Sequence, residues 1–94
     1  MAVYMVLWKI GSGRRSYETA YKAFVDHLER YDHIEDHELD NVRWISTSGT
    51  ADQLHADLFR KLNSDDRLII TKLAAGSYQG WINHQVSKWI DSRL

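Results

Sequence analysis

The sequence predicts one small α+β domain whose elements follow the order βαββαβ, with a further helix at the C-terminus. Two amphipathic segments with helical periodicity are interleaved with β-branched apolar runs. The chain has 94 residues, no proline and five glycines, so residues 1–94 are expected to form a single domain with short connections. This is the order of a ferredoxin-like sandwich, in which two helices cover one face of an antiparallel four-stranded sheet.

The first strand is predicted over residues 2–9 (AVYMVLWK), because this run is apolar at both odd and even positions. Such a pattern is typical of a central strand that is buried on both faces. A glycine-rich stretch, Gly11-Ser12-Gly13, then ends the strand.

The first helix is predicted to start after Ser16, a suitable N-cap residue. Its apolar and aromatic residues recur at steps of three and four, as on one face of a helix: Tyr17, Ala20, Tyr21, Phe24, Leu28 and Tyr31. The opposite face carries charges of alternating sign, which indicates exposure to solvent: Glu18, Lys22, Asp26 and Arg30.

The middle of the chain predicts two strands and a second helix. Residues 33–40 (HIEDHELD) are polar enough to form only a short edge strand, and residues 42–47 (VRWIST) form a stronger one after an Asp-Asn turn. Thr50 and Gln53 then have the spacing of a capping box, which starts a helix over about residues 51–62.

The last third predicts a final strand and a helical tail. Residues 63–66 (NSDD) favour a turn. The turn explains the adjacent acids Asp65 and Asp66 more simply than a role in acid–base chemistry does. Residues 67–74 (RLIITKLA) are rich in β-branched residues and predict a strand. The tail, about residues 81–93, carries an apolar stripe at helical spacing: Ile82, Val86, Trp89 and Ile90. We expect this tail or a second subunit to cover the other sheet face.

The composition excludes several classes of function. The chain has no cysteine, so disulfides, thiolate zinc sites and cysteine nucleophiles are excluded, and a cytoplasmic location is expected. The apolar start has neither the basic region nor the cleavage site of a signal peptide, and no membrane association is expected. The formal charge of −1 means that any site for a polyanion must be a local patch.

One such patch is predicted in residues 11–16 (GSGRRS), between the first strand and the first helix. Backbone amides at a helix N-terminus, with the guanidinium groups of Arg14 and Arg15, form a good anion site. The loop lacks the spacing of a P-loop or a dinucleotide fingerprint, so the motif by itself favours a solvated turn. Lys9, just before the loop, favours the anion site.

The histidines and the tail aromatics have structural explanations that compete with functional ones. His33 and His37 would share one face of a helix and bind zinc, but in a strand they lie roughly 13 Å apart, which favours a charged edge strand. His27, His55 and His84 are isolated on predicted helices, so we expect surface histidines. The tail aromatics would stack on nucleobases, contact a partner or pack on the sheet: Tyr78, Trp81 and Trp89.

Four segments carry a resemblance to a known family: YMVLWKI, HELDNVRWIST, TADQL and SDDRLIITKL. Together they resemble small bacterial proteins of the SinR family, which are related in fold to CRISPR-associated protein 2 and to VapD-type toxin ribonucleases. The resemblance implies a homodimer, and a metal-binding aspartate from each subunit at the end of strand one. Here that position is Lys9, whose ammonium group repels divalent cations and suits a phosphate instead.

The first hypothesis is therefore a homodimeric binding module, a relative of CRISPR-associated protein 2 that has lost its catalytic site. It would contact the phosphates of RNA or DNA through Lys9, Arg14 and Arg15, with no catalytic residue, metal or cofactor. The first alternative is a toxin-type endoribonuclease that does not use the family's aspartate, with Ser12, Ser16 or His37 as participants. The second is a protein-binding domain that uses its C-terminal helix.

Overall fold

The computed structural model describes residues 1–13 and 16–94. Its elements in chain order are β1 Ala2–Lys9, α1 Tyr17–Leu28, β2 Asp32–Ile34, β3 Val42–Thr47, α2 Ala51–Phe59, β4 Arg67–Lys72 and α3 His84–Arg93. The predicted α+β class and the βαββαβ order, followed by a C-terminal helix, are confirmed. Within the described ranges, no helix is long and apolar enough to cross a membrane.

The four strands form one antiparallel sheet in the order β2-β3-β1-β4. This is the arrangement of a ferredoxin-like sheet, with β1 and β3 in the centre and the short β2 at one edge. The end of β1 pairs with the start of β4, with Lys9 opposite Arg67. The topology therefore brings the two chain segments around these residues to the same corner of the sheet.

The helices α1 and α2 cover one face of the sheet. Alternate residues of β1 point into this layer, where they meet apolar residues of both helices. The fully or nearly fully buried members are Tyr4, Val6, Trp8, Ile10, Phe24, Leu28, Ile45, Leu54 and Leu58. This layer holds most of the largest fully buried side chains.

The helix α3 packs on the opposite face of the sheet. Its buried residues Val86 and Ile90 contact a second cluster that contains Val3, Trp44 and Leu73. The predicted apolar stripe of the tail is thus occupied by the chain's own sheet. The stripe begins before the helix, because Ile82 lies in the connection and Asn83 is the N-cap.

Several predicted bounds are too long, and the ends of these elements explain why. The helix α2 ends at Phe59 rather than Leu62. The last three residues of the predicted helix continue as a tighter turn, in which Leu62 N–H donates to the Phe59 carbonyl at 3.0 Å. Strand β2, Asp32–Ile34, is as short as expected but begins one residue before the predicted segment, and β4 ends at Lys72 rather than at residue 74. The N-cap of α1 is Ser16, as predicted, but its φ is 58° and its side chain makes no capping hydrogen bond.

Candidate functional site

Lys9 and Arg67 stand directly opposite each other on neighbouring strands and form what we call the basic corner. Lys9 ends β1, Arg67 begins β4, and the two are partners in the antiparallel register. Both residues are exposed. Like charges directly opposite each other on a sheet repel, so a bound anion would stabilise this corner.

The guanidinium of Arg67 is held in place by backbone carbonyls. Its Nη1 donates to the Ser64 carbonyl at 3.0 Å and to the Asp66 carbonyl at 2.8 Å. In the described part of the chain, Lys9 makes no ion pair with a carboxylate. Its ammonium group is therefore available to a ligand.

A shallow groove of about 330 Å³ runs beside the basic corner. Its lining residues are Leu7, Trp8, Lys9, Arg67, Leu68 and Ile69. Ile69 is 63 % exposed and lies opposite Leu7 in the register. The groove thus places two positive charges next to an apolar surface, an arrangement that suits a ligand with both phosphate groups and flat apolar rings.

The loop after β1 packs closely against the turn before β4. The buried carboxylate of Asp66 accepts hydrogen bonds from Gly11 N–H at 2.9 Å and from Asn63 N–H at 3.0 Å. A Cβ on Gly11 would lie 3.0 Å from the Asp65 Cβ and carbonyl oxygen, so a larger residue there would require the turn before β4 to shift by a few tenths of an ångström. The predicted structural role of the Asp65-Asp66 pair in a turn is confirmed for Asp66.

The predicted anion loop is described only in part. Arg14 and Arg15 lie outside the described residues, so their predicted role stays a prediction. Gly11 to Gly13 and Ser16 are described, and they lead from the basic corner into α1. Because Ser16 adopts a left-handed conformation and makes no side-chain cap, no capping side chain from this residue covers the first N–H groups of α1.

The residues at the end of β1 do not fit the divalent metal that the family resemblance implies. Magnesium requires oxygen ligands, whereas this corner presents an ammonium and a guanidinium group. Across residues 1–13 and 16–94, no three histidine or acidic side chains come together as a metal-binding group. The phosphate role of Lys9 stays a prediction.

The two histidines of the acidic segment have separate partners. His33 Nδ1 lies 2.8 Å from the Tyr31 carbonyl, and its Nε2 is 3.7 Å from Glu29. His37 is highly exposed, and its Nδ1 lies 4.0 Å from Glu35. The two rings therefore do not form a shared site.

A buried arginine connects this segment to the helical layer. Arg43 is 7 % exposed, its Nε donates to Glu29 at 3.0 Å, and its Nη2 lies 3.1 Å from Glu35. The guanidinium also lies over the Trp8 ring, 5.4 Å from its centroid. These contacts neutralise the charge of Arg43 inside the protein, which makes a structural role the simplest explanation.

A second charged cluster joins α1 to α2 around Asp57. Its carboxylate accepts hydrogen bonds from the Tyr31 hydroxyl and from Arg30 Nη2 at 2.8 Å, and lies 3.1 Å from His27 Nε2. Burial acts to raise the pKa of Asp57, but these hydrogen bonds and positive charges outweigh it, and the pKa is lowered. Burial and the bond to Asp57 raise the pKa of Tyr31 to about 12. His27, predicted to be an isolated surface residue, belongs instead to this network.

The tail aromatics occupy three different environments. Trp89 is half-buried against the sheet, with the Arg93 guanidinium 4.1 Å from its ring centroid. Tyr78 donates its hydroxyl hydrogen to Asp91, and burial with this bond raises its pKa to about 12. Trp81 is fully exposed.

Sequence reasoning missed Arg67 and Asp36 as site-forming residues. The signal for Arg67 was present, because the βαββαβ order places the start of β4 beside the end of β1. No local pattern marks Asp36, whose burial depends on a hydrogen bond from Asn83 in the distant tail. Comparisons with protein-family models, with curated proteins and with solved structures found no match to this chain.

Proposed function

We propose that this chain is a homodimeric module that binds nucleic acid by its phosphates, through Lys9, Arg67 and the Arg14-Arg15 pair. The observation that carries the proposal is the basic corner, where two exposed cations face each other across β1 and β4 without a compensating carboxylate opposite them. Phosphate contacts of this type supply most of the affinity of sequence-independent binding.

The groove beside the basic corner favours nucleic acid over a free phosphate ion. Leu7 and Ile69 give it an apolar surface, against which unstacked bases can pack while their phosphates contact Lys9 and Arg67. A groove that is open and shallow also suits a chain better than a small molecule, because small-molecule sites are usually concave and enclosed.

A homodimer is part of the proposal because of the resemblance to the SinR family and to CRISPR-associated protein 2. In a dimer two basic corners act together, and linking two weak sites raises the overall affinity. Light scattering of the purified chain tests the dimer independently of nucleic-acid binding.

The test of the phosphate site is the salt dependence of binding to a labelled single-stranded RNA. Lys9→Gln removes one cation from an exposed position and is expected to weaken binding. It is also expected to reduce the slope of log K against log salt concentration by about 0.7, the value for one lost contact to a single strand. Replacing Arg14 and Arg15 by alanine tests the undescribed part of the loop in the same assay.

Lys22→Gln is the matched control, because Lys22 is an exposed lysine on α1 that is already paired with Asp26 at 2.6 Å. We expect it to leave the salt slope unchanged. Equal slopes for the wild type, Lys9→Gln and the double arginine variant would exclude this site, as would the absence of any binding at low salt.

A further inference from the structure

Trp81 is the most exposed large apolar side chain in the described part of the protein. Its relative exposure is 103 %, as in an extended peptide. It lies in the connection between β4 and α3, next to the half-buried Ile82. Exposed tryptophans are enriched among residues that dominate binding energy at interfaces, because a rigid indole loses little entropy on binding.

The backbone beside Trp81 is held in place by the buried carboxylate of Asp36. This carboxylate accepts from Asn83 N–H at 2.7 Å and from Glu38 N–H at 2.9 Å. These two hydrogen bonds hold the pKa of Asp36 below its ordinary value. The acidic loop and the start of the tail are thus joined, and Trp81 and Glu38 line one hollow where these segments meet.

Two adjoining shallow hollows, of about 330 and about 390 Å³, lie on this scaffold. They share Asp36, Glu38 and Asn83, and Trp81 and Ile82 form a wall of the smaller one. Among the residues that the structure describes, no lysine or arginine lines either hollow. The carboxylate of Glu38 has no ion pair within the described residues, so it leaves this surface negatively charged. The indole of Trp81 lines the same hollow.

Elsewhere in the protein, an indole and a carboxylate together hold an arginine side chain. The Arg93 guanidinium lies 4.1 Å from the ring centroid of Trp89, and its Nε donates to the Asp32 carboxylate at 3.2 Å. Trp81 and Glu38 present the same pair of groups, an indole and a carboxylate, without a cation.

We propose that Trp81 and Glu38 form a docking site for an arginine or lysine side chain of a partner protein. The cation stacks on the indole of Trp81 and donates hydrogen bonds to the carboxylate of Glu38. A cation is attracted both by the π-face of the ring and by the opposite charge. The site lies apart from the basic corner and has the opposite charge, so it does not depend on nucleic-acid binding.

The test measures binding of a fluorescein-labelled hexaarginine peptide to the 94-residue chain by fluorescence anisotropy. The wild type is expected to bind saturably, and Trp81→Ala and Glu38→Gln are each expected to weaken binding about threefold to tenfold. Both residues are exposed, so neither change is expected to affect folding, which thermal unfolding of the variants checks.

Two matched controls distinguish binding at this site from non-specific electrostatic attraction of the peptide to the protein. Phe59→Ala removes another exposed aromatic side chain, and Glu18→Gln removes another exposed carboxylate, both in helices away from the tail. Both controls are expected to bind the peptide as the wild type does. Equal binding by all variants, an equal loss in the controls, or equal binding of hexaglutamate would overturn the proposal.

Discussion

Three buried charged residues each connect segments that are distant in the sequence. Asp36 joins the acidic loop to the tail, Arg43 joins β3 to the end of α1, and Asp66 joins the turn before β4 to the loop after β1. Each of them contacts partners of opposite charge or backbone N–H groups. These residues are buried because the fold satisfies their hydrogen bonds, since an unpaired buried charge would cost several kcal/mol.

At the same scale, Asp57→Asn is expected to destabilise the protein by about 1–3 kcal/mol at neutral pH, because it removes the charged acceptor shared by Tyr31, Arg30 and His27. The pKa of Asp57 is lowered from 3.8 in the folded state, so its stabilising contribution is present above that value and is lost as the pH falls through the folded-state pKa. Urea unfolding at a series of pH values between about 2 and 7 measures both effects.

The variant should therefore lose less stability on acidification than the wild type does. Asp26→Asn is the control, because Asp26 is an exposed residue in an i,i+4 pair with Lys22, and exposed pairs of this kind contribute little to stability. If Asp57→Asn and the wild type showed parallel pH profiles, the assigned role of this carboxylate would be wrong.

The helix α2 begins as its local sequence dictates. Both bonds of the capping box of α2 are formed, with Thr50 Oγ1 accepting from Gln53 N–H at 3.1 Å and Gln53 Oε1 accepting from Thr50 N–H at 2.9 Å. The box was predictable because all its partners lie within three residues. The C-terminal end of α2 was not predictable from the sequence. No strong stop residue follows Phe59, so packing decides where the helix ends.

Thr50→Ala is expected to destabilise the protein by about 1 kcal/mol, because it leaves the Gln53 N–H without its side-chain acceptor. Thr19→Ala is the matched control, since Thr19 is an exposed residue inside α1, where alanine is the better helix former. Thermal unfolding followed by circular dichroism compares the two. A lower midpoint for Thr19→Ala than for Thr50→Ala would contradict the capping role.

At the scale of the whole molecule, one sheet separates two cores of unequal size. The larger core lies under α1 and α2, and the smaller one lies under α3. The part of this second sheet face that α3 does not cover carries the exposed Ile69 and the basic corner. The protein therefore presents a phosphate-binding candidate on its sheet and a cation-binding candidate, Trp81 with Glu38, at the start of its tail.

Ile90→Ala tests whether α3 is an integral part of this architecture. Ile90 is fully buried, so the change is expected to cost about 2–5 kcal/mol in unfolding free energy. It should also speed hydrogen exchange in α3 more than in α1. Ile69→Ala, at an exposed position of the same sheet face, is expected to change stability by less than about 0.5 kcal/mol. Similar costs for the two variants would show that α3 does not bury Ile90 in solution.

The sequence alone determined the class and order of elements, the bounds of β1 and β3, and the start of both helices of the first layer. These features depend on periodicity and on contacts between near neighbours, which can be read along the chain. Only the tertiary structure decided which groups meet across the fold. It paired Arg67 with Lys9, covered the second sheet face with α3, and placed Glu38 beside Trp81. The physical reason is that such contacts join segments as far apart as the 61 positions between Asp32 and Arg93, and strand register and burial set them rather than local propensity.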